Sequence, residues 1–362
     1  MSDKVKHIIN SVLFFTIFAV VFFLNVVLPD DEISASERRR LRQFPELTLE
    51  NVLSAEFQEN FDLYVVDQFI FRDTFRLIKG HFELDVLRQM DNNNLFVRDG
   101  FIFSMLYPLN ERGVTSAANR MNSVYDLWLI DMNVFYTIIP DKNFYLNTRH
   151  LRIDYEQLVT IMNSTVRNMQ YIDIFDTLTL NSFYRTDIHW RQEKLDPTVK
   201  RIADYMDFSL FNLFEEKSIP NFRGSYFGQL PRIGLRPDTL TYLTNDILES
   251  ATVFHHETNT YSNIYNLDMV DNVDMYDIFL SGPTAVLDIH NPNSRTDREL
   301  IIFRDSFGSS IIPLMIQDFR KITVVDLRYV DSRILDQFIE FNNQDVIFML
   351  SVNILNNGHV LR

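Results

Sequence analysis

Four apolar stretches, broken only by Thr137 and Thr323, constrain this chain more than any other feature: Val134 to Ile139, Leu300 to Phe303, Ile322 to Val325 and Val346 to Leu350. A strand that is apolar on both faces has no wet face, so it needs cover on both sides. The segments Asp154 to Met169, Glu193 to Tyr205, Ser309 to Phe319 and Arg333 to Phe341 read as helices able to supply that cover, and Tyr171 to Ile174 adds a further short strand. Strands alternating with helices predict an α/β domain, a doubly wound parallel sheet with right-handed crossovers. Residues 206–298 lose the rhythm and are expected to be an irregular insertion with short β elements. No internal repeat is present.

A second feature divides the chain. Ile8 to Leu28 is a 21-residue apolar run broken only by Asn10, Ser11, Thr16 and Asn25, long enough to span a hydrocarbon core of about 30 Å. Lys4, Lys6 and His7 precede it and Pro29, Asp30, Asp31 and Glu32 follow. The positive-inside tendency then keeps the short N-terminus in the cytoplasm and puts the remainder outside. The run is too long for a signal-peptide core, and Ser34-Ala35-Ser36 is a poor cleavage site, so an uncleaved single-pass anchor is expected. Residues 1–29 form a cytoplasmic stub and transmembrane anchor, 30–56 a basic juxtamembrane linker, and 57–362 an extracellular domain. Within it, Phe57, Phe61, Tyr64, Val65 and Phe69 fall at helical spacing and read as the core stripe of one or two amphipathic helices.

Composition narrows the function. Of 362 residues, 34 are Lys or Arg against 49 Asp or Glu, a net charge of −15, which argues against nucleic-acid binding. There is no cysteine, which excludes disulfide scaffolds, thiolate metal sites, cysteine nucleophiles and lipoprotein lipidation. No phosphate-binding glycine motif is present. His255-His256 lacks ligand spacing and reads as a solvated loop; Asp271, Asp274 and Asp277 do not follow a Ca²⁺-loop pattern. Asn163-Ser164-Thr165 matches a glycosylation sequon but falls in an expected helix.

In doubly wound sheets chemistry gathers beyond the carboxyl ends of the strands. Ser306 follows the strand Leu300 to Phe303 and precedes a helix, where a nucleophile would be exposed and its oxyanion stabilised; the alternative is that Ser306 or Ser309 caps that helix. In Thr186-Asp187-Ile188-His189-Trp190, residues two apart share a side of an extended segment. Asp187 could thus orient His189 as a general base, with Trp190 as an aromatic wall for a sugar ring; the alternative is a surface pair or a core histidine.

Taken together, Thr186-Asp187-Ile188-His189-Trp190, Tyr171 to Leu178, and Phe303-Arg304-Asp305-Ser306-Phe307 resemble the DHHW family of Gram-positive bacteria. That family is similar in turn to the alginate O-acetylation proteins, with their circularly permuted SGNH-hydrolase-like (flavodoxin-like) domain. Glu37-Arg38-Arg39 with Phe44-Pro45, Ile139-Pro140-Asp141-Lys142, Arg223-Gly224-Ser225-Tyr226-Phe227-Gly228, Tyr276 to Gly282 and Val325 to Tyr329 extend the match in order along the chain. The family's first histidine is replaced here by Ile188. The resemblance implies a triad of Ser306 nucleophile, His189 base and Asp187 orienter, with Asn353 a candidate oxyanion donor. Arg304 and Lys142 are placed either lining the site or in structural ion pairs. It implies an O-acyltransferase, most readily acetyl, acting on a cell-surface or secreted polysaccharide beside a membrane-bound O-acyltransferase (MBOAT) partner, with no cofactor or metal. A carbohydrate esterase with the same triad, or a non-catalytic subunit of an export complex, are the alternatives.

Overall fold

The computed structural model describes residues 2–34, 36–37, 39–147, 151–210, 213–230, 232 and 234–362. Ala35 and Arg38, named above, lie outside them. The contacts divide the chain into two compact units, one of residues 1–92 with 228–234, the other of 93–227 with 235–362.

The first unit opens with helix α1 (Asp3–Val27), long and apolar enough to cross a membrane and with none of its side chains buried. The basic segment after it is not a free linker: Arg39 grips Asp67 through two bonds of 2.8 and 2.6 Å, and the Arg42 N–H donates to the same carboxylate. These donors hold the Asp67 carboxyl down at about 2. Asp67 ends α2 (Glu56–Asp67), and α3 (Arg72–His81) follows, running on into a wider turn at Phe82–Val86. The expected core stripe is not core. Phe61, Val65 and Phe69 are exposed, with no further layer covering them among the described residues; instead Phe44 meets Phe57, Phe61 and Tyr64 edge-to-face, and Phe57 stacks on Phe61.

The second unit is mixed α/β. Its longer helices are α4 (Glu111–Trp128), α5 (Tyr155–Thr165), α6 (Asp196–Met206) and α7 (Gly308–Met315). Its central sheet holds β1 (Val134–Ile139), β2 (Gln170–Ile172), β3 (Thr252–His255), β4 (Thr260–Asn263), β5 (Val286–His290), β6 (Glu299–Arg304), β7 (Lys321–Val325) and β8 (Asp345–Ser351), in the order β4-β3-β5-β7-β6-β8-β1-β2. The five strands from β7 to β2 in that order pair parallel. The expectation of a wholly parallel sheet is corrected at the other edge, where β5, β3 and β4, all from the insertion, add on antiparallel. A hairpin of Glu215–Phe222 with Asp238–Thr244 is the insertion's other β element.

The apolar strands have the predicted consequence. Side chains alternate between faces, so Leu300, Ile302, Ile347 and Met349 enter one core with α6 and α7, and Ile301, Phe303, Val346 and Phe348 enter the other with α4 and α5. The helix expected at Arg333 to Phe341 does not form: Ser332–Gln337 is a pair of tight turns broken at Ile334, whose backbone is not helical. His255 is no solvated loop residue either. It is buried in β3 with Nε2 2.8 Å from the Ser262 hydroxyl, while His256 sits 3.1 Å from Asp288.

Candidate active site

Strand β6 ends in the middle of the parallel sheet, and the chain turns sharply through Asp305-Ser306-Phe307 into α7. Asp305 holds that turn in place. One carboxylate oxygen accepts the Phe307 N–H at 3.0 Å and the other accepts the Ser351 N–H at the end of β8, 2.8 Å away. Ser306 stands half-buried on this rigid corner.

The second half of the site comes from the loop after β2. Phe183 bridges Trp190, and the Tyr184 N–H donates to the His189 carbonyl, closing a tight loop rather than an extended segment. Asp187 and His189 come together within it for a reason other than strand periodicity: Asp187 Oδ1 accepts the His189 backbone N–H at 2.9 Å, an Asx-type turn. The same oxygen lies 2.6 Å from His189 Nδ1, and His189 Nε2 lies 2.8 Å from Ser306 Oγ. With a carboxylate at Nδ1 the imidazole proton sits there, leaving Nε2 to accept from the Ser306 hydroxyl. Asp187, His189 and Ser306 therefore form one continuous hydrogen-bonded relay. Asp187 is fully buried and His189 nearly so.

The loop is held from three sides. Lys142, just past β1, is buried and donates to the carbonyls of Tyr184, Arg185 and Asp187 at 2.9, 3.4 and 2.7 Å. Burial pushes its ammonium down to about 7, against the pull of Asp187, Asp238 and Asp141. Asp238, from the insertion's hairpin, accepts the Arg185 and Thr186 N–H groups and the Thr186 hydroxyl. Gly224 and Ser225 close the third side: the Ser225 N–H donates to Asp187 Oδ2 at 2.6 Å, and a Cβ on Gly224 would stand 2.3 Å from the Asp187 Cβ.

His189 is clamped by aromatic rings. Tyr276 stacks on it at 3.8 Å between centroids and 5° between planes, and Phe307 leans on it at 4.9 Å. The Tyr276 hydroxyl, its pKa driven far up by burial, donates to Ser310 in α7.

Two of the candidate residues, Trp190 and Lys142, act differently from expectation, and Arg304 takes the structural ion-pair place that was one of its two expected roles. Trp190 is no sugar platform, because it is fully buried: its indole N–H donates to the Phe307 carbonyl and Ser310 Oγ at 3.0 and 2.9 Å, bracing the Ser306 turn from below. Lys142 neither lines a cleft nor pairs with a carboxylate; it binds backbone carbonyls. Arg304 is buried beneath the turn, its Nη1 3.4 Å from Asp326, with Nε and Nη2 lacking a hydrogen-bond partner among the described residues. Burial lowers its pKa. Asn353 stands two residues past Ser351, its amide nitrogen buried and without a partner among the described residues. No group of three His, Asp or Glu residues that could hold a metal ion occurs among the described residues.

A family model described as DHHW protein matches residues 116–325. The chain belongs to the DHHW family. No curated protein sequence matches it. Among solved structures it is similar to a DHHW family protein from Eubacterium siraeum, with 19% identity over 75% of this chain and 94% of that one and a TM-score of 0.62. Bacillus cereus PatB1 follows at 16% identity over 73% of this chain and 97% of that one, TM-score 0.59; it has also been solved with a sulfonyl adduct. The O-acetyltransferase domain of Pseudomonas putida AlgJ is a looser match, at 12% identity over 73% of this chain and 92% of that one, TM-score 0.42. Those likenesses are of fold. Asp305, Gly224, Ser225, Asp238 and Tyr276 act by supporting the relay; the family resemblance covered all but Asp238, yet no periodic or spacing signal gave any of them a role.

Proposed function

We propose that this DHHW protein is an O-acyltransferase that uses Ser306, His189 and Asp187 to move an acyl group, acetyl in the simplest case, onto a hydroxyl of a cell-surface or secreted polysaccharide. The observation that carries the reading is the relay from the Asp187 carboxylate through His189 to Ser306 Oγ. As Ser306 Oγ bonds to the acyl carbonyl carbon, its proton passes to His189 Nε2, and Asp187 stabilises the imidazolium. The tetrahedral intermediate collapses, the donor's leaving group takes the proton from His189, and an acyl ester remains on Ser306. A sugar hydroxyl then gives its proton to His189, attacks the ester carbonyl and restores Ser306.

The buried, unpartnered Asn353 amide supports a role as donor to the oxyanion, since Asn353 follows the strand whose end is tied to the residue preceding Ser306. The chain order, Asp187 and His189 before Ser306, goes with an SGNH-hydrolase-like domain in circularly permuted order. Helix α1, unburied and with Lys4 and Lys6 in its first two turns ahead of the apolar run, supports a membrane anchor with the catalytic unit outside. A donor acyl group would then have to cross the bilayer, which is the task of an MBOAT-type partner.

The test uses the full chain in detergent with a chromogenic acetyl ester and an acceptor oligosaccharide, comparing wild type with Ser306→Ala. Mass spectrometry follows acetyl on Ser306 and on the sugar, and a sulfonyl fluoride should label Ser306 in wild type alone. Acetylated sugar that vanishes in the variant supports transfer. Ester cleavage with no sugar product makes the protein an esterase. Neither adduct nor turnover from folded protein, across several acceptors, leaves a non-catalytic subunit.

A further inference from the structure

Helix α3 is built inside out. Its inward face is polar: Arg72 pairs with Glu37 and Asp67, and Arg76 pairs with Glu37 and donates to the Gly228 carbonyl, all within the first unit. Its outward face is apolar. Phe71, Phe75, Ile78, Phe82 and Val86 recur every three or four residues along α3 and the turn that continues it, and they are 67%, 54%, 58%, 51% and 58% exposed. A helix in water places these faces the other way round.

The depth of this face relative to α1 is set by hydrogen bonds. The Ile70 N–H, at the elbow before α3, donates to the Asn25 side chain at 3.0 Å. Gln68 exchanges bonds of 2.9 Å with the backbone of Asp31, and the Tyr64 hydroxyl reaches Asp30. Asn25 lies within the last turn of the apolar helix, only about 3 Å of rise from its end. The elbow is thereby fixed where α1 would leave the hydrocarbon, with the exposed ring of Phe71 starting the apolar face at that level.

We infer that α3 and its continuation to Val86 lie in the membrane interface, their aromatic face sunk among the acyl chains of the bilayer that α1 spans. The inference rests on the reading of α1 as an anchor. A long amphipathic helix of this kind, basic on one side and Phe-rich on the other, settles at the headgroup–acyl boundary. Here its basic side is occupied by protein, so the first unit is held to the surface by a broad foot as well as a single post.

The chain is free of cysteine, so one introduced cysteine takes a spin label uniquely. The full chain, reconstituted in phosphatidylcholine vesicles, would carry the label in turn at Phe75→Cys, Ile78→Cys and Phe82→Cys, with Val12→Cys inside α1 and Lys79→Cys as references. Collision with dissolved oxygen, which concentrates in lipid, is compared with collision with a water-soluble nickel complex. The expected result is an oxygen-to-nickel ratio several-fold higher at 75, 78 and 82 than at 79. Water-exposed labels at all three positions, with the Val12 label in lipid, would overturn the inference and leave the anchor standing. A Val12 label in water would overturn both. Labels at 75, 78 and 82 shielded from both collision partners would show that a second copy of the chain covers the face, and would also overturn it.

Discussion

Replacing Gly224 by alanine tests whether the insertion holds the Asp187 carboxylate in the relay. The new Cβ would lie 2.3 Å from the Asp187 Cβ, 2.4 Å from the Thr186 carbonyl oxygen and 2.5 Å from the Asp187 Cα. Backbone and Cβ atoms have no rotamer by which to escape, so the two segments must part by about 1 Å to reach ordinary contact. Three hydrogen bonds cross this seam: Ser225 N–H to Asp187 Oδ2 at 2.6 Å, Gly224 N–H to Thr186 Oγ1 at 3.0 Å, and Tyr226 N–H to the Thr186 carbonyl at 3.0 Å. An extra ångström takes all three out of hydrogen-bonding range. With neutral bonds contributing about 0.5–1.5 kcal/mol each and the charged one about 1.5–3, the loss is about 3–6 kcal/mol. At roughly 2–4 °C per kcal/mol for a domain of this size, Tm should fall by about 6–24 °C. Asp187 and His189 move with the seam, and a misplacement of about 1 Å lowers turnover on the order of 100-fold. The assays are thermal unfolding of the full chain in detergent and cleavage of a chromogenic acetyl ester. A variant within about 2 °C of wild type, or one that loses stability yet keeps its turnover, would refute the claim that residues 224–226 position Asp187.

Tyr276→Leu removes the ring stacked on His189 and should lower kcat/KM by about tenfold, while Tyr276→Phe keeps the stack, loses only the bond to Ser310 and should stay within about threefold of wild type; equal losses would refute a role for the ring. Trp190→Phe deletes the indole N–H that braces the Ser306 turn, so thermal unfolding should register a loss of about 1–3 kcal/mol. The KM for oligosaccharide should not move in that variant, and a rise in KM with unchanged stability would restore the sugar-platform role. For Lys142 the folded-state pKa of about 7 lies below the ordinary value of 10.5. Between those values the unfolded chain binds the additional proton, so the lysine's contribution to stability rises with pH across that window. Denaturant titrations should therefore show wild type gaining on Lys142→Met from pH 7 to pH 10, and a constant difference would refute the buried-amine assignment.

What was legible before the fold was known follows a physical rule. The strands that carry the parallel sheet could be read because burial on both faces leaves a nearly uninterrupted apolar record in a few consecutive residues. Ser306 could be placed because it follows such a strand. Asp187 and His189 were readable as partners because the Asx-type turn that joins them spans only two residues. Trp190 was misread because adjacency to a histidine carries no information about which way an indole points; Phe307 and Ser310, far along the chain, decide it. Phe61, Val65 and Phe69 have the spacing of a core stripe, but spacing cannot say what covers a stripe. Asp238 left no local trace, and Tyr276 none beyond the family resemblance, since each acts on a loop dozens of residues away, and the antiparallel strands of the insertion are too short and too mixed in composition to announce their pairing.

The position of β8 has a consequence for when the molecule can first act. Among the described residues, β8 is the strand that joins β1 and β2, which lead to the loop bearing Asp187 and His189, to β6, which delivers Ser306. It is also the strand made last. His189 and Ser306 therefore belong to two halves of a sheet that stay unzipped until residues 345–351 have been made, and pairing over such sequence distances is slow. A nascent or truncated chain ending before residue 345 would carry all three relay residues and lack the strand that aligns them, so reactivity toward acyl esters should appear only once residues 345–351 have closed the sheet.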